Sequence, residues 1–162
     1  MYWTFLLLVG IGVFIVAVIR SVTSKNKSYQ LEVRGLLGLK QELRSLSRDN
    51  HVQYFIIEFG DYYIQFSKFP DTQEVICESV SNEYLLEEFH LTDHQYGTMK
   101  GKGFYLPGEK DEEDNSSKNF FRFYSIDKDV EIDQLLFDLE SIMTEVYGYQ
   151  NNHVLHIKVN PK

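Results

Sequence analysis

The segment HVQYFIIEFGDYYIQFSKF, residues 51–69, decides the fold. Apolar and polar side chains alternate on both sides of Gly60-Asp61, which is typical of two strands joined by a tight turn. Residues 74–80 alternate in the same way after a further turn signal at Pro70. Together these segments predict a three-stranded antiparallel meander.

An amphipathic helix is predicted before this meander, over residues 29–50. Its apolar residues recur at spacings of three and four, the period of a helix with one buried face. They are Leu36, Leu39, Leu43 and Leu46. Gly35 and Gly38 weaken the first half, so the helix is predicted most strongly over 36–48.

The rest of the chain alternates between helix and strand signals. Thr92 is a predicted N-cap for a short helix through Met99, and an acidic cap at 127–129 begins a long helix that runs to about Val146. Strands are predicted over 119–126 and 153–159. The order α-β-β-β-α-β-α-β predicts an α+β fold, an antiparallel sheet with helices packed on one face.

Composition and charge limit what this domain binds. The chain has 162 residues with 43% hydrophobic content, enough for one folded core, and a single cysteine excludes an internal disulfide framework. Residues 51–162 carry 9 basic and 21 acidic side chains, a net charge of −12. A domain so acidic would repel phosphates, so nucleic acid is not an expected partner.

The N-terminal residues 1–20 predict a transmembrane anchor. No residue from 1 to 19 is charged, and about 19 helical residues span roughly 28 Å, close to the hydrocarbon thickness of a bilayer. Tyr2 and Trp3 are predicted to lie at one membrane interface and Arg20 at the other. A cleaved signal peptide is disfavoured, because no basic residue precedes the apolar run and no small-residue cleavage site follows it.

The basic residues around this anchor predict its orientation. Residues 21–28 form a short basic linker, in which Lys25 and Lys27 are predicted to lie near the lipid headgroups. Basic flanks remain on the cytoplasmic side, and none precedes the anchor. We therefore expect a single-pass protein of the cell membrane, with its N-terminus outside and the domain at 29–162 in the cytoplasm.

Signs of catalysis or metal binding are weak. His90 and His94 have a helical metal spacing, but the predicted cap Thr92 lies between them, so His90 precedes the helix. The acidic run from Asp127 departs from a calcium loop at the glycine position and at the final ligand. Cys77 lies in a predicted strand with no nucleophile motif around it. We predict no catalytic residues, no metal ligands and no cofactor.

A sheet face with aromatic side chains is the candidate protein-binding site. Arg122 lies in the predicted strand 119–126. Its charge indicates that the alternate residues Phe120, Arg122 and Tyr124 face outward. Tyrosine and arginine are the residue types that most often anchor protein interfaces. The predicted surface consists of Tyr54, Tyr63, Phe120, Arg122 and Tyr124. The alternative is that one of the protein's own helices covers this face, or that the face simply tolerates exposed aromatic side chains. Homodimerisation would use the same face.

Several short motifs in the second half of the chain resemble a known pattern. They are Gly103-Phe104-Tyr105-Leu106-Pro107, Asn119-Phe120, Val146-Tyr147-Gly148 and Val154-Leu155-His156-Ile157. The chain resembles the YbjN-like and TY-Chap domains, relatives of type III secretion chaperones. The resemblance implies a small α+β fold, often dimeric, that binds other proteins and has no catalytic site. It also implies that Gly103, Pro107, Asn119 and Gly148 form turns, a strand entry and a helix end.

These observations lead to two functional hypotheses. The first is a non-catalytic, membrane-anchored module, adaptor or chaperone-like, that presents an acidic α+β domain to a protein partner in the cytoplasm. The alternative is an accessory or regulatory subunit of a membrane complex, whose transmembrane helix makes the main contact.

Overall fold

A six-stranded antiparallel sheet organises the computed structural model, which describes residues 27–48, 52–68, 74–126 and 128–161. The strands are β1 (Lys27–Glu32), β2 (Val52–Phe59), β3 (Tyr62–Lys68), β4 (Glu74–Ser79), β5 (Phe120–Ser125) and β6 (Val154–Pro161). Their order across the sheet is β1-β6-β2-β3-β4-β5, and every neighbouring pair is antiparallel. The predicted meander is the run β2-β3-β4 in this order.

The part of the chain that the structure describes also contains three α-helices. They are α1 (Lys40–Arg48), α2 (Asp93–Gly101) and α3 (Asp129–Ser141). A 3₁₀ segment, Val33–Leu39, leads into α1, a 3₁₀ turn spans Glu87–Phe89, and a π-helical turn, Ile142–Val146, extends α3. The predicted α+β class with an antiparallel sheet is confirmed.

The segment before α1 differs from the prediction. Residues 27–32 form strand β1, and residues 33–39 form the 3₁₀ segment, so the predicted helix over 29–50 is wrong in its first half. Strand β1 pairs with β6, from Lys27 opposite Val159 to Glu32 opposite Val154. Its first two residues therefore lie inside the stretch predicted as a linker. The partner strand is more than a hundred positions away, so local periodicity could not reveal it.

The predicted leucine stripe forms one wall of the core. Leu36 is almost fully buried, and Leu39, Leu43 and Leu46 are fully buried. On the sheet they meet Phe55 and Phe66, whose rings stack with centroids 4.6 Å apart and an interplanar angle of 18°. The same two strands contribute Ile57 and Ile64, and the neighbouring β6 contributes Ile157, all fully buried. The core therefore lies between the sheet and the helices.

The structure tests three helix ends that the sequence predicts. Thr92 caps α2 as predicted: its hydroxyl accepts from the Gln95 N–H, and the Gln95 side chain accepts from the Thr92 N–H. The N-cap of α3 is Lys128, which makes no side-chain cap hydrogen bond. At the far end, Gly148 has φ +71°, a left-handed conformation that favours glycine and ends the helical segment.

The predicted membrane anchor lies outside the described residues. Tyr2, Trp3, Arg20 and Lys25 belong to that segment, whereas the backbone of Lys27 begins β1. Among the residues that the structure describes, no helix combines the length and the apolar character needed to cross a membrane.

The buried Phe55 provides a test of this core. Replacing Phe55 by alanine removes a fully buried ring from the stacked pair, and we expect the free energy of unfolding to fall by about 3–5 kcal/mol. Phe137→Ala is the matched control, because the Phe137 side chain is 67% exposed, and its effect should stay within about 0.5 kcal/mol. Urea unfolding of the full chain, followed by circular dichroism, measures both. Equal shifts for the two variants would contradict the described packing.

Candidate functional site

The sheet has one face under the helices and one face that we call the open face. All three helices contact side chains of the first face: Leu43 of α1 lies in its core, Tyr96 of α2 packs on Phe120, and Asp138 of α3 contacts Tyr124. Alternate side chains point the other way. The open face includes Gln30, Tyr54, Ile56, Glu58, Tyr63, Gln65, Ser67, Glu74, Ile76, Glu78, Phe121, Phe123, His156 and Lys158.

Two of the five predicted binding residues lie on the open face. Tyr54 stands opposite Ser67, Tyr63 stands opposite Glu58, and both tyrosines are half-buried. The hydroxyl of Tyr63 accepts a hydrogen bond of 3.1 Å from the Asn119 side-chain amide. That bond links the start of β5 to β3 and fixes the tyrosine ring, whereas Tyr54 lies further along the face.

The other three predicted binding residues lie on the covered face, so their predicted outward orientation is wrong. Phe120 is fully buried and Tyr124 is 7% exposed. In the register of β4 and β5, Arg122 stands opposite Cys77, which is also buried. Because alternation is strict along a strand, these positions put Phe120, Arg122 and Tyr124 beneath the helices.

Arg122 is tolerated there because α3 supplies a carboxylate. The Arg122 Nη1 donates to Asp138 Oδ2 at 3.0 Å, and the Tyr124 hydroxyl donates to the same oxygen at 3.1 Å. Gln134 donates to the other oxygen at 2.9 Å, and the guanidinium carbon lies 4.5 Å from the centre of the Tyr124 ring. Burial is the largest cause that raises the pKa of Tyr124, so this hydroxyl stays protonated and continues to donate.

A sequence signal for this arrangement exists in α3. Asp138 lies three residues after Leu135 and four before Ile142, within a run of buried apolar positions. A lone acidic residue in a buried stripe requires a polar or basic partner, since an unpaired buried charge is costly. Asp138 could therefore have pointed to an inward-facing arginine on the sheet.

The aromatic residues of β5 that reach the open face are Phe121 and Phe123. Tyr105 pairs with Phe121 as an isolated antiparallel bridge beside the sheet edge, and their rings stack with centroids 4.9 Å apart. Phe123 meets Phe121 edge to face at 6.0 Å. Phe121 is almost fully buried by this packing, while Phe123 and Tyr105 are half-buried. Sequence reasoning missed these three residues as surface candidates.

The acidic loop between α2 and β5 is held next to these rings. The Asp111 carboxylate accepts hydrogen bonds from the backbone N–H groups of Glu113 and Asn115, at 2.9 and 2.8 Å, and from the Asn115 side chain. Burial of the carboxylate opposes its charge, but these hydrogen bonds outweigh burial, so the pKa of Asp111 lies below its usual value. Ser117 donates to Glu78 of the open face at 2.6 Å, which ties the loop to the sheet.

The opposite end of the open face is polar and internally paired. Lys158 on β6 donates to Glu58 on β2 at 2.6 Å, and Gln30 lies 3.4 Å from a ring nitrogen of His156. Exposed pairs of this kind contribute little to stability. The open face thus runs from a polar end at β1 and β6 to an aromatic, acidic end at β4 and β5.

Cys77 and His90 have side chains of the types that act in catalysis or bind metal ions. Cys77 is 3% exposed, and its burial raises the pKa of the thiol, which keeps it protonated. His90 precedes α2, as expected from the cap at Thr92, and one of its ring nitrogens lies 3.1 Å from the Leu85 carbonyl oxygen. Within the described ranges, no three His, Cys, Asp or Glu side chains are grouped so that they could hold a metal ion.

Comparisons of the chain with protein-family models, with curated proteins and with solved structures give no match.

Thiol accessibility tests the division of the sheet into two faces. Ser67→Cys places a thiol on the open face, where we expect rapid reaction with a maleimide in the folded full chain. Ser79→Cys is the matched control: Ser79 is fully buried, so its thiol should react only after unfolding in urea, as should the natural Cys77. Mass spectrometry of the labelled chain measures the rates. Protection of the thiol at position 67 would mean that another part of the chain covers the open face.

The Arg122–Asp138 pair yields a second prediction. Asp138→Leu leaves the guanidinium without its carboxylate beneath α3, and we expect a loss of about 3 kcal/mol in the free energy of unfolding. Adding Arg122→Met should recover part of that loss, because no unpaired charge then remains. Asp133→Leu on the same helix is the control: Asp133 is 52% exposed in its pair with Lys40 and should cost less than about 1 kcal/mol. Urea unfolding checks the series; equal losses at positions 133 and 138 would disprove the assigned role.

Proposed function

We propose that the domain is a non-catalytic protein-binding module, adaptor or chaperone-like, that a membrane anchor presents on the cytoplasmic side of the cell membrane. The observation that carries this proposal is the open face. Tyr54, Tyr63 and Phe123 lie on it half-buried, together with Ile56 and Ile76. Aromatic side chains surrounded by polar groups are typical of the surfaces that anchor protein partners.

Two further observations support a binding role. The motifs from Gly103 to Ile157 resemble YbjN-like and TY-Chap domains, and this resemblance implies protein binding without catalysis. The uncharged run over residues 1–19, followed by basic residues, supports anchoring in the membrane with the domain in the cytoplasm. A module in this position would meet its partner close to the bilayer.

Charge favours a different protein over a second copy of this chain. The open face carries Glu74 and Glu78 in addition to the Glu58–Lys158 ion pair, and residues 51–162 have a net charge of −12. Two identical acidic faces would repel one another, since like charges brought together at an interface are unfavourable. We therefore propose a partner other than a second copy, with homodimerisation as an outcome that the experiment can detect.

Site-specific photo-crosslinking in cells tests this function. Benzoylphenylalanine replaces Gln65, near the centre of the open face, in the full-length chain; the matched control carries it at Phe137, exposed on α3. We expect a discrete protein adduct from position 65 and none from position 137. Adding Tyr54→Ala should weaken the adduct by about tenfold or more, because truncating an aromatic hot-spot residue costs about 2 kcal/mol or more.

The same experiment separates the proposal from its alternatives. Exchanging residues 1–20 for an unrelated apolar helix should leave the adduct in place if the domain makes the contact. Loss of the adduct on that exchange would favour the accessory-subunit hypothesis. An adduct with the mass of two copies of this chain would indicate a homodimer, and adducts from position 137 alone would refute the open face as the binding surface.

A further inference from the structure

A small cavity lies at the acidic end of the open face. It measures about 160 Å³ and is lined by Glu74, Tyr105, Asp111, Glu112, Glu113 and Phe123. A cavity of about 150 Å³ holds a ligand the size of benzene, so this one has room for the end of a long side chain. The site is therefore built from two aromatic rings and four carboxylates.

The aromatic rings form a fixed surface in this cavity. Phe123 rests edge to face on Phe121, and Phe121 stacks on Tyr105 with an interplanar angle of 18°. Tyr105 and Phe121 are also joined by backbone hydrogen bonds of 2.9 and 3.2 Å in both directions. Rings packed in this way need little ordering when a ligand binds, and an aromatic ring attracts a cation electrostatically.

The acidic loop supplies negative charge beside these rings. Asp111 is fixed by three hydrogen bonds from within the loop, and its lowered pKa keeps it ionised. Glu112 and Glu113 are exposed, and among the described residues neither has a basic side chain within ion-pair distance. The neighbouring Glu109 and Asp114 are instead paired, with Lys100 and Lys110. Two carboxylates without an ion pair among the described residues, those of Glu112 and Glu113, thus stand beside the rings of the cavity.

The dimensions of the open face suit an extended peptide segment. Six strands at a spacing of about 4.8 Å make a face roughly 25 Å across, which about eight extended residues span. Such a segment would pass from the paired polar groups at β1 and β6, over Tyr54 and Gln65, to Phe123 at the acidic edge. The acidic cavity at that edge is complementary to a basic residue.

We propose that the open face binds a basic segment of a partner protein, and that the cavity beside Phe123 receives one of its lysine or arginine side chains. This inference rests on the proposed protein-binding function and names the chemistry of the partner. The cationic group lies against the ring of Phe123, with Asp111, Glu112 and Glu113 around it, and the aliphatic stem of the side chain covers Ile76. Charge then selects the partner, and the aromatic rings hold its side chain in place.

Fluorescence anisotropy with a defined peptide tests the inference. The probe is a fluorescein-labelled peptide of about eight alternating lysine and threonine residues, the length that spans the face. It is titrated with the full-length protein in a non-ionic detergent at fixed ionic strength, because exposed charges are screened by salt. A peptide with glutamate in place of lysine serves as the control ligand. We expect the lysine peptide to bind and the glutamate peptide not to bind.

Paired variants distinguish binding at the cavity from attraction by the net negative charge of the domain. Glu112→Gln with Glu113→Gln should weaken binding of the lysine peptide about tenfold, and Phe123→Leu, which removes the ring but keeps an apolar side chain, should also weaken it several-fold. Glu87→Gln with Glu88→Gln changes the net charge by the same amount at exposed positions in the 3₁₀ turn, away from the open face. That control should change affinity less than twofold.

Several outcomes would overturn the inference. Equal weakening by the two glutamine pairs would show that net charge alone attracts the peptide, and an unchanged affinity for Phe123→Leu would remove the ring from the site. Spermidine that displaces the peptide at equal concentration would point to a free polyamine as the ligand. If the adduct from position 65 persists in Glu112→Gln with Glu113→Gln, the proposed function stands and this inference fails; if no adduct forms at all, the proposed function itself fails.

Discussion

The alternation of side chains along a strand is the constraint on which the rest of this structure depends. Once Phe55, Ile57 and Phe59 of β2 are buried beneath the helices, Tyr54, Ile56 and Glu58 must point to the other side. The hydrogen-bond register then determines which side chains of each neighbouring strand point to the covered face. The same pairing register therefore determines both the core and the open face. A register shift of one residue would move the core side chains to the open face and the open-face side chains to the core.

The contact between Arg122 and Asp138 explains how the covered face accommodates a charged residue of β5. Register forces Arg122 to the covered face, where a lone guanidinium would be unfavourable. Asp138, Tyr124 and Gln134 surround it with hydrogen-bonding groups, so the pair joins α3 to the edge of the sheet. The same register places Phe121 and Phe123 on the opposite face, and the Arg122–Asp138 contact stabilises this orientation of β5.

The open face, which we propose as the binding surface, combines packed aromatic rings with one-sided charge. Its aromatic end is rigid, because Tyr105, Phe121 and Phe123 pack on one another and the loop is tied to Glu78 through Ser117. Its charge is one-sided at the same end, where Asp111 is held ionised by hydrogen bonds. Rigidity lowers the entropic cost of binding, and one-sided charge discriminates among partners.

The sequence by itself determined the features that depend on neighbouring residues. The hairpin around Gly60, the Thr92 cap and the leucine stripe from Leu36 to Leu46 follow from local turn chemistry and from the helical period, and the structure confirms each. Only the tertiary structure decided β1, which exists through pairing with β6 far along the chain. It also decided the orientation of β5. Both alternating sets in that strand are rich in aromatic residues, so burial of hydrophobic area hardly distinguishes them, and the deciding contact joins Arg122 to a carboxylate on a different element.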